Sequence, residues 1–387
     1  MAAPTIVKGS DHFFNAKWTG NGGGLRVGKF VPYTDNGTVS KSCIFNDGSS
    51  SYLSRTHSAS NKKTFTFSAW IKRCATGAYQ RIFNATDAGD NENFIFRDTD
   101  VLHFYSGDAW ADVKTTRTFN DTSKFYHIVL RVDTTQSTAS DRVRIYVDGE
   151  EITSLATATY PSQDADTAFN GNVAHDIGRS NSSSQYFDGY MAEVNFADGQ
   201  SYGPDTFGLT DTSTGRWIPK SLGSITYGTN GFRLTFANSA GQTIGDDTSG
   251  NGNDFTVSNL AVTDITTDSP TQNFAVLDPL RSRSGFTFEE GNRKLATGNN
   301  TGLAFSTQKV LGTKFYFEAK LTGFTSGGGP SFGIAPEDTV NTTDPGSPGD
   351  GEGNKLMGYY SNQSDSAIVY RGAYYNDSGN GASVNDW

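Results

Sequence analysis

Acidic residues are the first candidates for chemistry in this sequence. A pair of carboxylates can act as nucleophile and general acid when the two groups lie roughly 5 Å apart. On a strand, one face is formed by alternate residues. The pairs Glu150-Glu151 and Glu289-Glu290 are adjacent, so their side chains would face opposite sides. We interpret both as solvated turn or rim charges. With no G-x-S-x-G elbow either, the sequence predicts no catalytic residue and no enzyme.

One loop is a candidate metal site. The segment "GDDTSGNGNDF" offers hard oxygen ligands in a glycine-bent turn, from Asp246, Asp247, Asn251, Asn253 and Asp254. Such oxygens are the ligands that Ca²⁺ prefers, although the spacing differs from a helix–loop–helix calcium motif. The alternative is that Asn, Asp and Gly form a tight turn without any metal. Ca²⁺ is the one cofactor for which the sequence offers a candidate site, and otherwise we expect none.

Two segments at strand ends combine aromatic and hydrogen-bonding side chains, which is the mixture that a glycan-binding surface requires. They are "GAYQR", with Tyr79, Gln80 and Arg81, and "SGDAWAD", with Asp108 and Trp110. Alternatively, such aromatic residues are lids over the core. His103 and His127 fall in strand patterns, and we interpret both as half-buried sheet residues. No H-x-x-x-H or C-x-x-C spacing indicates zinc.

The composition favours a β-protein that has no general attraction to nucleic acid. The 387 residues include 44 glycines, and 13% of the chain is aromatic. The formal net charge of −10 opposes non-specific binding to phosphate backbones. No apolar run approaches the roughly 20 residues of a membrane helix, so we expect no membrane insertion. The start lacks the pattern of a signal peptide. Cys43 and Cys74 are expected to be reduced thiols.

Alternation with a period of two identifies the elements that must position these residues. In "HIVLRVDTTQSTASDRVRIYVDGEEI", residues 127–152, the apolar stripes 128–132 and 143–147 predict two strands of one sheet. The pair Asp148-Gly149 is typical of a type I′ turn, because both positions require positive φ. Many short strands without intervening helices predict an all-β fold, an antiparallel β-sandwich.

The order of motifs resembles the laminin-G-like, concanavalin A-like jelly roll over residues 41–198. The segments "FYHI", "YVDG" and "FDGYMAEVNF" stand where that family has a W-x-H-V strand, a Y-V-D-G hairpin and a closing F-x-G-x-I-D-E-V strand. Ala192 replaces an aspartate that helps hold Ca²⁺ in the family, which puts that calcium site in doubt. The resemblance also implies that glycan hydrolases of this fold must be considered.

The rest of the chain predicts three further parts. Residues 1–40 form a glycine-rich arm, and residues 199–280 form a connector with a few strands. Residues 281–387 resemble the SPRY β-sandwich, in which "YFEAKL" and "FGIAPE" stand for two of the family's strands. Because the SPRY pattern continues beyond the equivalent of Trp387, we expect this second sandwich to be truncated or to be completed by another chain.

This domain order resembles that of marine bacteriophage virion proteins. The resemblance implies a tail-fibre, tail or capsid-surface protein that is assembled in the host cytoplasm and presents sandwiches for host-surface or glycan binding. The expected partners are other virion chains, further copies of this chain (a trimer if it is a fibre), and a host glycan or receptor. The alternative is a glycan-active enzyme or a free bacterial lectin.

Overall fold

The computed structural model describes residues 39–86, 92–180, 184–237, 241–282, 284–298, 303–308, 317–320, 322–323, 331–334, 357–361, 366–370 and 373–377. The chain divides into two compact units after Phe274. Among the described residues, no helix is long and apolar enough to cross a membrane.

The first unit is an antiparallel β-sandwich. Its strands are β1 Ser42–Phe45, β2 Tyr52–Thr56, β3 Thr64–Arg73, β4 Gln80–Thr86, β5 Glu92–Phe96, β6 Val101–Ser106, β7 Ala111–Thr118, β8 Tyr126–Asp133, β9 Val143–Val147, β10 Glu150–Glu151, β11 Leu155–Thr159, β12 Ala174–Ile177, β13 Gly189–Asp198, β14 Gly208–Thr210, β15 Trp217–Pro219, β16 Phe232–Leu234, β17 Thr256–Ser258 and β18 Ile265–Thr266. The predicted all-β jelly-roll architecture is confirmed.

Two sheets form the layers of the sandwich. The first sheet has the order β10-β9-β8-β3-β13-β1-β18, with β16 also paired to β13. The second sheet has the order β11-β7-β6-β5-β4-β12-β2-β17. Aromatic side chains from both sheets meet in the core, as where the Phe67 ring of β3 stacks on the Phe83 ring of β4 with centroids 5.1 Å apart. Burial of such large rings supplies most of the driving force for folding.

The ribbon of residues 127–152 forms as predicted. Ile128, Leu130 and Val132 are buried in the core, together with the inward-facing residues of β9. The turn that joins β9 to β10 has positive φ at both Asp148 (51°) and Gly149 (85°), as a type I′ turn requires. The Asp148 carboxylate also accepts a hydrogen bond from the His127 backbone N–H at 2.9 Å.

The outward face of this ribbon is covered by the segment that follows β13 in the sequence. Strands β14 and β15 pair with each other as a hairpin, and Trp217 on β15 donates a hydrogen bond from Nε1 to His127 Nδ1 at 3.0 Å. His127 is therefore fully buried, not half-buried as predicted. Because the indole nitrogen can only donate, the His127 proton lies on Nε2, which is 2.9 Å from Ser68 Oγ. Burial lowers the pKa of His127 to about 3, so its ring is neutral at pH 7.

Most of the predicted connector belongs to the first unit. Strands β16, β17 and β18 pair with β13, β2 and β1. A buried polar network strengthens the junction: Asp198, at the end of β13, accepts hydrogen bonds from Asn170 Nδ2 at 3.0 Å and from the Asn230 backbone N–H at 3.0 Å. These interactions satisfy groups that would otherwise lose their hydration on burial.

Lys72 anchors the last segment of the first unit. Its buried ammonium group lies 3.0 Å from the Asp268 carboxylate and donates to Asn273 Oδ1 at 2.9 Å. The two cysteines, Cys43 and Cys74, are buried and are not joined in a disulfide, in agreement with the prediction of reduced thiols.

The second unit contains shorter described elements. They are β19 Leu277–Asp278, β20 Thr287–Glu289, β21 Lys294–Ala296, β22 Phe305–Ser306, β23 Ser331–Ile334, β24 Met357–Ser361, β25 Ser366–Tyr370 and β26 Ala373–Asp377. Strands β23 to β26 form a four-stranded antiparallel meander, while β19 pairs with β22 and β20 with β21. "FGIAPE" begins on β23, as predicted. The part of "YFEAKL" that the structure describes, residues 317–320, has no regular secondary structure. Residues 1–38 lie outside the described residues.

We predict that Gly149→Val destabilises the first unit by at least about 1–2 kcal/mol, the cost of a left-handed conformation in an L-residue. Its Cβ atom would also overlap the Trp217 ring. Two controls separate these causes in chemical denaturation. Gly77→Val has positive φ (71°) with open space around it, and Gly208→Val meets the same Trp217 ring without positive φ. Equal stability of Gly149→Val and wild type would contradict the turn assignment.

Candidate functional site

A cavity of about 250 Å³ opens on the outer face of the second sheet, across strands β4 to β7. The register places two rungs of side chains there. Arg81, Ile95 and His103 lie on one rung, and Asn93, Tyr105 and Asp112 on the next. The lining residues are Tyr79, Arg81, Asn93, Ile95, Arg97, His103, Tyr105, Asp112 and Gln185, and we call this site the β4–β7 cavity.

A chain of hydrogen bonds fixes one wall of the cavity. Arg97 donates from one terminal nitrogen to the Tyr79 hydroxyl at 2.9 Å, and its other terminal nitrogen lies 3.4 Å from His103 Nδ1. Because a guanidinium only donates, Nδ1 is the acceptor and the His103 proton lies on Nε2. That nitrogen is 2.9 Å from Asp112 Oδ1. Both imidazole nitrogens are thus engaged within the wall.

The electrostatics of this wall keep His103 neutral. Burial lowers the pKa of His103, and the neighbouring Asp112 carboxylate opposes that shift in part. A neutral imidazole between a guanidinium and a carboxylate relays hydrogen bonds while adding no charge of its own. The wall therefore holds the Arg97 guanidinium in place through neutral partners, His103 and the Tyr79 hydroxyl.

Arg81 is held on the opposite wall. Its Nε donates to Gln185 Oε1 at 2.8 Å, and a terminal nitrogen donates to Asn84 Oδ1 at 3.2 Å. The Arg81 backbone N–H also donates to the Gln185 carbonyl at 3.0 Å. Two phenol rings, two guanidinium groups and two amide side chains therefore surround a small volume. Hydrogen bonds restrain the rotamers of Tyr79 and Arg97 on one wall and of Arg81 and Gln185 on the other.

The structure brings some of the predicted binding residues together and separates others. Tyr79 and Arg81 line the β4–β7 cavity, whereas Gln80 is buried on the other side of the sheet, where its Oε1 accepts from Arg73 Nε at 3.1 Å. Asp108 and Trp110 lie in the turn between β6 and β7, outside the cavity lining. Gln80 faces away from Tyr79 and Arg81 because the three residues are consecutive and neighbouring side chains on a strand point to opposite faces.

Several cavity residues carried no signal that sequence reasoning could use. They are Asn93, Ile95, Arg97, Tyr105, Asp112 and Gln185. His103, which the sequence predicts to be a half-buried sheet residue, is buried in the cavity wall. Alternation in "ENFIFRD" and "VLHFYS" indicates which side chains share a face of their own strand. It does not indicate that β5 and β6 are neighbours or in which register they pair, and the cavity depends on both.

A buried carboxylate supports the β6–β7 turn. Glu92 Oε1 accepts hydrogen bonds from Ser106 Oγ at 2.7 Å and from the Asp108 backbone N–H at 3.0 Å. Burial raises the pKa of Glu92 to about 7, against the lowering effect of these donors. Ser106 Oγ in turn accepts from the Ala109 backbone N–H at 3.1 Å. The turn is therefore fixed from below by the start of β5.

The predicted calcium loop, residues 245–255, is held together by hydrogen bonds within the protein, and we call it the clasp. The Asp247 carboxylate accepts from the backbone N–H groups of Arg233 (2.8 Å), Ser249 (2.8 Å) and Asn253 (2.9 Å). The Asp254 carboxylate accepts from the Asp247 backbone N–H at 2.8 Å.

The remaining predicted ligands also have protein partners. Asp246 caps Thr243, and Asn251 and Asn253 donate to backbone carbonyls of residues 228–231. Within the described residues, no group of three or more His, Cys, Asp or Glu side chains is arranged to hold a metal ion. This geometry favours the tight-turn interpretation, and calcium binding stays a prediction.

Comparison with known families bears on the first unit. Residues 47–200 match the Laminin_G_3 family model, described as the concanavalin A-like lectin/glucanases superfamily. The first unit therefore contains a jelly-roll domain of the concanavalin A-like class, as the motifs predicted. No curated protein matches the chain.

Three solved structures are similar to part of this chain at low sequence identity and low TM-score. A candidate carbohydrate-binding protein from Bacteroides ovatus is 18% identical, with 48% of this chain and 61% of that chain covered, at a TM-score of 0.33. The heptameric SAP-like pentraxin of Limulus polyphemus is 11% identical, with 41% and 77% covered, at 0.31. Domains LG4-5 of the mouse laminin alpha1 chain are 11% identical, with 51% and 47% covered, at 0.31.

We predict that removing Ca²⁺ with a chelator leaves the thermal stability of the protein unchanged, because the clasp is held by its own hydrogen bonds. Thermal unfolding in EDTA and in millimolar CaCl₂ should coincide, while Asp247→Ala should lower the free energy of unfolding by about 1–3 kcal/mol because backbone N–H groups lose a charged acceptor. Asp246→Ala, which removes bonds to Thr243 alone at an exposed site, is the matched control and should cost less. A rise of several degrees in CaCl₂ would restore the calcium hypothesis.

Proposed function

We propose that the first unit is a non-catalytic glycan-binding module and that the β4–β7 cavity is its site. The observation that carries this proposal is the composition of the cavity, in which Tyr79 and Tyr105 provide aromatic surface beside the donors and acceptors of Arg81, Asn93 and Gln185. Sugars present both apolar C–H faces and hydroxyl groups, so their recognition needs both kinds of contact. The concanavalin A-like fold of the unit is consistent with this role.

The geometry of the cavity supports binding rather than hydrolysis. Glycoside hydrolysis requires two carboxyl groups on either side of the scissile bond. Among the described lining residues, Asp112 alone carries a carboxylate, and it is hydrogen-bonded to His103. His103 has no nitrogen left to act as a base, because Arg97 and Asp112 engage both.

For the whole chain, we propose a structural role in a bacteriophage virion, as a tail-fibre, tail or capsid-surface component. Its β-sandwich units would present the glycan site to the host surface and assemble with other virion chains, including further copies of this one. The motif order and the two β-rich units support this proposal, as does a second unit in which the SPRY-like motif "FGIAPE" begins on β23. A free bacterial lectin is the second candidate, since the same fold and cavity would serve it equally.

Two measurements separate these candidates. Mass spectrometry of purified particles should detect the chain in the virion, and light scattering of the purified chain should give an oligomer. A monomer that is absent from particles but binds sugar would favour the lectin. Release of reducing ends from a host polysaccharide, lost when Asp112 is replaced by Asn, would overturn the non-catalytic assignment.

We predict that Arg97→Ala weakens binding of the full chain to its best ligand on a glycan array by roughly tenfold or more. Hydrogen bonds to a charged group contribute about 1.5–3 kcal/mol, and 1.4 kcal/mol corresponds to a factor of ten. The matched control is Arg216→Ala, because Arg216 is an exposed arginine on the turn before β15, on the covering hairpin of the first sheet. Equal loss in both variants would indicate non-specific charge attraction.

A further inference from the structure

Trp110 is an exposed tryptophan in the turn between β6 and β7. It is 82% exposed, the highest value among the exposed large apolar side chains of the described residues. So exposed an indole contributes little to the stability of the fold, because apolar area stabilises only when it is removed from water. The exposed indole ring is a large, rigid apolar surface of the kind on which a ligand can stack.

The backbone at Trp110 is strained as well. Its φ of 53° lies in the left-handed region, which bulky L-residues rarely adopt. The Trp110 N–H donates to the Gly107 carbonyl at 3.4 Å and closes the turn. The Glu92 carboxylate, which accepts from Ser106 Oγ and the Asp108 backbone N–H, holds the turn from below. Strain that the surrounding structure maintains is characteristic of functional positions.

The register places this turn at the edge of the β4–β7 cavity. Tyr105 pairs with Asp112, and both line the cavity. Ser106 pairs with Ala111 on the last rung, and Trp110 is the next residue. Two residues of chain span at most about 7 Å, so the Trp110 backbone lies within about that distance of the Asp112 backbone. Trp110 is thus close enough to contact a ligand that extends beyond the cavity.

We propose that Trp110 is the stacking platform of a second sugar subsite, so that the site takes an oligosaccharide rather than a single sugar. The inference rests on the proposed glycan-binding function. One sugar occupies the β4–β7 cavity, and the next lays its apolar face on the indole ring, which offers a large rigid surface at low entropic cost. The fixed turn holds the ring ready for the ligand, which limits the ordering cost of binding.

The test compares Trp110→Asn with the wild-type full chain. Asparagine tolerates positive φ, so this variant should unfold at the same or a higher temperature. Isothermal titration would use the best oligosaccharide from the glycan array and its terminal monosaccharide. We expect an affinity about tenfold lower for the oligosaccharide and unchanged for the monosaccharide. Trp110→Phe should restore part of the loss, and Val262→Asn, at another exposed apolar residue, should change neither affinity.

Three other results would contradict the inference. Unchanged oligosaccharide affinity in Trp110→Asn, with loss in Arg97→Ala, would overturn the second subsite and leave the cavity proposal standing. A large drop in unfolding temperature would show that Trp110 holds the fold instead. If no neutral or acidic glycan on the array binds the wild-type chain, the proposed function and the second subsite both fail.

Discussion

The first unit depends on the hydrogen bonding of strand β13, which is buried along its whole length. One edge of β13 pairs with β3, and the other is shared by β1 at Gly189–Met191 and by β16 at Val194–Phe196. Every buried backbone group on such a strand needs a partner. The sandwich is therefore incomplete until β16, which lies far along the chain, reaches this edge.

A bulge makes the shared edge geometrically feasible. The β13–β3 register shifts between Ala192 and Asn195, and Glu193 within the bulge has a φ of 48°. Bulges bend a strand and redirect its side chains. The Glu193 carboxylate accordingly reaches Arg233 on β16 and forms an ion pair. One irregularity thus ends the pairing with β1 and begins the pairing with β16. This arrangement explains why the segment after residue 199, which the sequence predicts to be a connector, contributes strands to the sandwich.

Local features of the sequence predicted what is local in the structure. The stripes of β8 and β9 and the turn at Asp148-Gly149 follow from alternation and φ preferences, and the structure has them. The burial of His127 could not be predicted in the same way, because Trp217, which covers it, lies 90 residues away. The β4–β7 cavity could not be predicted from the sequence for the same reason, because Arg81 and Asp112 share a face only through the pairing of four strands.

The two sheets differ in what covers their outer faces, and this difference favours the second sheet as the functional surface. On the first sheet, Val129 and Tyr146 are covered by Phe207, while Trp217 packs on the cluster around Trp70. A ligand there would have to displace packed aromatic rings at a cost of several kcal/mol. On the second sheet, the outer face near β5 and β6 carries Arg97 and Tyr105. Both contact neighbouring side chains, and both remain accessible from the cavity.

This asymmetry also explains why the cavity walls are linked internally. An open polar face loses specificity when its side chains are mobile, because ordering them on binding costs free energy. The Tyr79–Arg97–His103–Asp112 chain and the Arg81–Gln185 contact order these side chains without any ligand. Neutral His103 is suited to its place in this chain, because a charged imidazole beside Arg97 would repel the guanidinium that it positions. Burial, which lowers the pKa of His103, therefore maintains the arrangement at neutral pH.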